Sequence, residues 1–251
     1  MKKKYIIANW KMYLSYDESV ELAYNLAKSN ISIPEGIEVV VCPAMVSLGR
    51  TADILKDTGF NLGAQDCSWE NEGSLTGETR PSDIRTLQGK YVIVGHSSRR
   101  ESLGETDEMI NKKIIKVLES RLIPVLCIGE TGAEKEAHKT EDRIIQQLDN
   151  GLSNIKLKED QQIIIAYEPL WAIYPASLEV DPHDIANISQ LIERHLLSVL
   201  GKDGWLIVYG GSVDSHNIKN YLDLELTQGV LVGHASADEN KFVDIIKNII
   251  S

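Results

Sequence analysis

The feature that most limits what this chain can fold into is a rhythm. Short, continuously apolar runs recur along it, and longer segments with helical period separate them. The runs fall at residues 5–8, 37–42, 60–62, 91–94, 123–127, 163–167, 206–209 and 230–232. A strand with one face in water alternates apolar and polar residues; a parallel strand covered on both faces does not. Between the runs, Ile110, Ile114, Val117 and Leu118 recur at the spacing of one helix face, as do Ile185, Ile188, Ile192, His195, Leu196 and Val199. Asp181 and Pro182 predict the start of that second helix, as N-cap and first-turn proline. Phe242, Ile245, Ile246 and Ile249 line a last helix.

Eight strand–helix units in 251 residues predict an α/β chain closed into one (β/α)8 barrel, with residues 1–251 as a single domain. A doubly wound open sheet shares the alternation, but it usually carries a GxGxxG turn after the first strand, and this sequence has none. Net charge is −11, which argues against a nucleic-acid footprint yet leaves room for a local anion site. Lys2, Lys3 and Lys4 precede an apolar run that Asn9 and Lys11 interrupt too early for a signal peptide. No stretch reaches the roughly 18 apolar residues of a membrane span, so a cytoplasmic, membrane-free protein is expected. Cys42, Cys67 and Cys127 form no CxxC pair; an odd, sparse set fits a reducing compartment, with Cys42 and Cys127 as buried thiols. HExxH motifs, Cys/His clusters and acidic calcium loops are also lacking, so no metal or other cofactor is expected.

In such a barrel, reactive groups sit just past the C-terminal ends of the strands. The residues following the runs are Asn9 and Lys11, then Gly95 and His96, then Glu168, then Gly210, Gly211 and Ser212, and finally Gly233 and His234. Singly, each has an ordinary explanation: a solvated lysine, a structural histidine, a glutamate opening a loop, a glycine turn. Together they bring a base, a donor that can stay neutral, a cation and two anion-friendly turns to one end.

At these residues the chain resembles the triosephosphate isomerase family. The matching strings are Ala8-Asn9-Trp10-Lys11-Met12, Gly95-His96-Ser97, Cys127-Ile128-Gly129-Glu130, Ala166-Tyr167-Glu168-Pro169-Leu170-Trp171-Ala172-Ile173, Tyr209-Gly210-Gly211-Ser212-Val213 and Leu231-Val232-Gly233. They occur in order along the whole length. The resemblance implies a TIM barrel that interconverts dihydroxyacetone phosphate and D-glyceraldehyde 3-phosphate through an enediolate, in glycolysis and gluconeogenesis. It implies Glu168 as base, neutral His96 as donor to the carbonyl oxygen, Lys11 as the cation, and Asn9 as a hydrogen-bond donor to the developing oxyanion. Backbone N–H groups of Tyr174, Ser212, Gly233 and His234 would hold the phosphate. The segment after the sixth strand would close as a lid hinged at Leu170 and Trp171. Glu130 would hold the Trp171 indole when the lid is open, and Tyr209 and Ser212 would receive it when closed. The loop 65–79 resembles the projecting loop of a homodimer, with Thr76 reaching the partner's site near Asn9 and Lys11.

Three positions depart from the family pattern. Tyr174-Pro175-Ala176-Ser177-Leu178-Glu179-Val180 stands where the lid tip is usually Gly-Thr-Gly-Lys-Thr, and the lid is one residue longer before Pro182. Ser98 stands where a glutamate usually pairs with the catalytic lysine, so Lys11 is expected to lose that partner or find another. His234 replaces the second glycine of a Gly-Gly pair, and its ring is expected to point outward from the phosphate. The altered lid leaves open an isomerase for another ketose phosphate, such as a four-carbon one, or a catalytically weak barrel that binds a phosphorylated ligand.

Overall fold

Among the described residues of the computed structural model, 3–29, 31–173 and 178–250, eight strands pair in parallel and close on themselves in the order of the chain. They are β1 (Lys4–Asn9), β2 (Ile37–Cys42), β3 (Asn61–Ala64), β4 (Tyr91–Val94), β5 (Ile123–Ile128), β6 (Ile163–Tyr167), β7 (Trp205–Tyr209) and β8 (Thr227–Val232). Closure comes from β8 on β1, where Tyr5 pairs with Gly229 and Ala8 with Val232. Helices follow the strands on the outside, so the (β/α)8 barrel expected from the rhythm is the fold. Among these residues no helix is long and apolar enough to cross a membrane.

The continuous apolar runs follow from two cores. Tyr5, Ile7, Val40, Cys42, Cys127 and Ala166 belong to the layer inside the barrel. Their chain neighbours Ile6, Ala8, Val39, Val41, Ile128 and Ile165 pack in the layer under the helices. Successive strand side chains point to opposite faces, and both faces are dry here. All three cysteines are free and buried.

Two strands begin or end away from their apolar runs, and glycine is the reason. The third run, at 60–62, is displaced: Phe60 precedes β3, and the pairing continues through Gly63, opposite Tyr91, and Ala64. A Cβ at Gly63 would come within 2.6 Å of Cys42 Sγ. Likewise β8 starts at Thr227 and runs through Gly229, where a Cβ would meet the Tyr5 carbonyl oxygen at 2.2 Å. Glycine lowers strand propensity in the sequence, yet the close approach of two backbones admits nothing larger.

The helix Pro182–Val199 starts as expected, with Asp181 Oδ1 accepting from the His183 amide at 2.8 Å. Its buried face is Ile185, Ser189, Ile192 and Leu196. Val199 is not on it, being 42% exposed; Leu200, just past the helix, packs against the core instead. His195 turns sideways, its Nε2 lying 2.9 Å from Asp149 Oδ1 on the helix Thr140–Gly151. Phe242, Ile245 and Ile246 are fully buried on the last helix, with Ile249 partly so.

A buried ion network ties the exit of β3 to the exit of β4. Lys113, on the helix Asp107–Glu119, reaches Asp66 Oδ1 at 2.6 Å and also bonds Glu105. Arg99 reaches the same two carboxylates at 2.8 and 3.3 Å. Burial pushes the Asp66 carboxyl above its ordinary range despite Lys113 beside it. Removing one member of such a network strands a buried charge. Lys113→Met is therefore expected to lower unfolding free energy by about 3 kcal/mol, read from urea denaturation. A change within about 0.5 kcal/mol would place the lysine with ordinary surface substitutions.

Candidate active site

The exits of β1, β6, β7 and β8 surround a cavity of about 410 Å3. Asn9, Lys11, Glu168, Ser212, Gly233 and His234 are among the residues that line it. Sequence-distant residues thus converge as expected, and the reasons lie in how each strand ends.

At the exit of β1, Lys11 has φ 49°, in the left-handed region that a non-glycine residue enters only when held there. Two side chains hold it. Asn9 Oδ1 accepts from the Lys11 amide at 3.1 Å, and Gln65 Nε2 donates to the Lys11 carbonyl at 2.9 Å and to Cys42 O at 3.0 Å. With its oxygen so engaged, Asn9 offers its NH2 group to the cavity. The Lys11 ammonium stands over Gly233, where a Cβ would lie 3.7 Å from Nζ. No ion pair to Lys11 is formed among the described residues.

At the exit of β4, His96 is the N-cap of the short helix Ser97–Leu103 and is only 4% exposed. Its Nδ1 accepts from the Ser98 amide at 3.2 Å and lies 2.9 Å from Ser98 Oγ. A nitrogen that accepts a backbone N–H carries no proton, so the neutral ring bears its hydrogen on Nε2. Burial pushes the imidazole below its ordinary range, and Lys11 and Arg99 add to this; Glu168 and Glu105 oppose it. Arg100 braces this exit, donating to Gly95 O at 2.7 Å and Cys127 O at 3.1 Å while pairing with Asp107.

At the exit of β6, Glu168 is 4% exposed. Its amide donates to Ile128 O at 2.7 Å. The strand end lies so close to Gly129 that a Cβ there would sit 1.9 Å from the Glu168 carbonyl oxygen. Gly210 leaves room on the other side, where a Cβ would be 2.7 Å from Glu168 Cγ. Glu168 Oε1 and His96 Nε2 are 3.5 Å apart, too far for a good hydrogen bond. Among the described residues, Glu168 Oε2 and His96 Nε2 are both buried without a hydrogen-bond partner. The Cys127 thiol, inside the barrel beneath them, is held well above its ordinary range by burial first and by the Glu168 carboxylate second.

The turn after β7 is trussed by its own side chains: Asn217 Nδ2 donates to Ser212 O at 3.0 Å, and Asn217 Oδ1 accepts from the Asp214 amide at 2.9 Å. After β8, Gly233 caps a 3-10 turn, His234–Ala237, and the α-helix proper begins only at Glu239. The leading amides of the turn lack carbonyl partners within it and can meet an anion. The His234 ring packs edge-on against Tyr13, centroids 5.3 Å apart.

Beyond Glu168, the short helix Leu170–Ile173 carries Trp171. Its Nε1 donates to Glu130 Oε1 at 2.7 Å, Tyr167 OH donates to the same carboxylate, and Lys135 Nζ sits 3.2 Å from the indole centroid. Glu130 is buried, which raises its carboxyl above the ordinary range, although the hydrogen bonds from Trp171 and Tyr167 pull the other way. Tyr209 is fully buried against Tyr221, ring centroids 4.5 Å apart, and its hydroxyl has no partner. The loop 65–79 is pinched at its base, where the Ser68 amide donates to Thr79 O at 2.8 Å; residues 72–78, Thr76 included, are exposed. Tyr174 lies outside the described residues.

Sequence reasoning did not find Gln65, Arg100 or Gln147, whose Oε1 accepts from the Gly129 amide at 2.8 Å. Each acts by contacting backbone far away in the chain, a role that leaves no local signature.

A buried carboxylate beside a neutral imidazole at the mouth of a barrel, with Lys11 and glycine-bearing turns lining the adjoining cavity, fits a barrel enzyme of the proton-transfer isomerase class. The sequence matches the family model described as triosephosphate isomerase over residues 4–249. It is 38% identical to a triosephosphate isomerase of Dictyoglomus turgidum, over 99% of this chain and 100% of that one. It is 39% identical to that of Dictyoglomus thermophilum, over 99% and 100%, and 37% identical to that of Clostridium tetani, over 98% and 96%. The chain belongs to the triosephosphate isomerase family, and it is an isomerase.

Because His96 is depressed below an ordinary imidazole, its neutral form persists below the ordinary value of about 6.5. The unfolded chain takes up that proton first, so this group's contribution to stability is full above about pH 6.5 and is lost as pH falls through the folded value. A 15N-histidine NMR titration of the free protein is expected to show His96 titrating below the ordinary imidazole value of about 6.5; a resonance titrating at that value or above would contradict the burial argument.

Proposed function

We propose that the chain interconverts dihydroxyacetone phosphate and D-glyceraldehyde 3-phosphate through an enediolate, with Glu168 as base. The observation that carries this reading is a buried carboxylate beside a buried imidazole: Glu168 Oε1 lies 3.5 Å from His96 Nε2, and Glu168 Oε2 and His96 Nε2 have no hydrogen-bond partner among the described residues. The Glu168 carboxylate takes the proton from the carbon beside the carbonyl, and the C–H electron pair moves to form the enediolate. His96 Nε2–H donates to the oxygen that gathers negative charge; Lys11 and the Asn9 NH2 stabilise the same charge. The hydroxyl hydrogen on the first carbon passes to the oxygen that carries the charge, with His96 Nε2 between the two oxygens, and protonated Glu168 returns its proton to the neighbouring carbon as the C=C pair closes on it and the new carbonyl forms. The substrate is a small phosphorylated sugar, and its phosphate is held by the amides of Ser212, Gly233 and His234, with the Tyr174 amide joining from the lid.

The lid reading follows from the same neighbours. Glu130 and Lys135 grip the Trp171 indole from edge and face, a hinge that must release or pivot when the lid closes onto Tyr209 and Ser212. Closure removes water from around the enediolate.

The same reading makes the protein a homodimer of single-domain barrels acting in the cytoplasm, in glycolysis and gluconeogenesis. Met12, next to Lys11, and Val46, in the 3-10 turn Met45–Ser47 after β2, are 93% and 74% exposed. The projecting loop 65–79 supports a partner contact there, with Thr76 reaching the partner's Asn9 and Lys11 region.

In an assay coupled to glyceraldehyde 3-phosphate, Glu168→Gln is expected to lower kcat by about 10^3-fold. Glu168→Asp should lower turnover far more than it weakens substrate binding. Wild-type turnover in either variant would remove Glu168 from the base role. Sedimentation equilibrium is expected to return twice the 28.0 kDa chain mass, and Val46→Asp to shift the population toward monomer; a wild-type monomer at micromolar concentration would sink the dimer.

A further inference from the structure

His96 Nδ1 is approached twice by one residue. The Ser98 amide nitrogen is 3.2 Å away and Ser98 Oγ 2.9 Å away. A backbone N–H can only donate, so Nδ1 presents its lone pair. The hydroxyl, facing that same lone pair, donates its hydrogen too. Both donors come from the first turn of the helix Ser97–Leu103, whose N-cap is His96 itself. The opposite ring nitrogen, Nε2, carries the hydrogen and has no hydrogen-bond partner among the described residues.

We propose that the Ser98 side chain is a positioning element for the isomerisation: its hydroxyl adds a second donor to His96 Nδ1 beside the backbone amide and so reinforces the Nε2–H tautomer, with that N–H directed toward Glu168 and the substrate oxygen. The inference rests on His96 being the donor to the substrate carbonyl.

The chemistry of the side chain explains why the residue type matters. A carboxylate accepts and does not donate; aimed at Nδ1 it would draw a proton there and favour the imidazolium. A hydroxyl can give its hydrogen to Nδ1, which opposes protonation at that atom. Ser98 stands where the family pattern has glutamate, and Lys11 forms no ion pair among the described residues. The position has changed from one that faces the lysine to one that faces the histidine. Ser98 is exposed while the ring it holds is buried, so altering its hydroxyl disturbs no core packing.

The test compares full-length wild-type protein with Ser98→Ala, Ser98→Thr and His96→Gln, using glyceraldehyde 3-phosphate turnover and ring-15N-histidine NMR of each protein that retains His96. Losing one hydrogen bond to the ring is expected to lower kcat of Ser98→Ala by about 3- to 10-fold, with KM changed less than about twofold. Its Nδ1 resonance should move downfield as the acceptor loses a donor, while Ser98→Thr, which keeps the hydroxyl, restores both rate and resonance. Wild-type kcat and an unmoved Nδ1 resonance in Ser98→Ala, with His96→Gln impaired, would overturn the role of Ser98 alone. A loss of rate that Ser98→Thr does not rescue would overturn it as well. Wild-type turnover in His96→Gln would instead overturn the reading of His96 on which it stands.

Discussion

Two polar atoms buried without partners, Glu168 Oε2 and His96 Nε2, are the constraint around which this barrel mouth is organised. Leaving a buried donor or acceptor unsatisfied costs about 1–3 kcal/mol each. A chain tolerates that only if the surroundings overdetermine the geometry. Here they do: Gly129 and Gly210 allow the end of β6 to be gripped from both sides, and Arg100 staples the β4 exit to β5. The strain of a left-handed Lys11 belongs to the same arrangement, held by Asn9 and Gln65. The free energy for these local costs comes from two dry layers of apolar side chains, one inside the barrel and one beneath the helices.

Electrostatics then divides the labour between two titratable groups in contact. Burial favours a neutral imidazole, and Lys11 and Arg99 push the same way. Neutrality matters because an imidazolium this close to Glu168 would pair with its carboxylate. The Ser98 donors on Nδ1 act in the same direction as burial, so the ring's protonation state and its orientation are set by one short helix turn. One other departure from the family pattern, His234, also has a partner within the fold: its ring rests edge-on against Tyr13. The Trp171 indole is held by Glu130 at its N–H and by Lys135 at its face, a grip composed of one hydrogen bond and one cation–π contact.

Much of this was legible in the order of residues. Runs of Val and Ile without alternation imply strands dry on both faces, and the barrel follows from eight of them with helices between. Asn9, Lys11, His96 and Glu168 stand directly after such runs, and strand ends in a barrel point to one mouth. Two strands were misjudged at glycines, Gly63 and Gly229, because propensity treats glycine as a break while packing demands it. Val199 was misjudged because the buried stripe drifts around the helix and Leu200 takes the contact.

The sequence by itself determined the periodicity, the closure into a barrel and the placement of Asn9, Lys11, His96 and Glu168 at the strand ends, since these depend on local pattern and on which residue follows which strand. Only the tertiary structure decided the states of those groups. That His96 is neutral with its proton on Nε2, that Lys11 is held by Gln65 from 54 positions away, and that Ser98 faces the histidine rather than the lysine are all matters of distance and burial. Hydrogen bonds and desolvation act over a few ångströms of space, and the chain brings those ångströms together only when it folds.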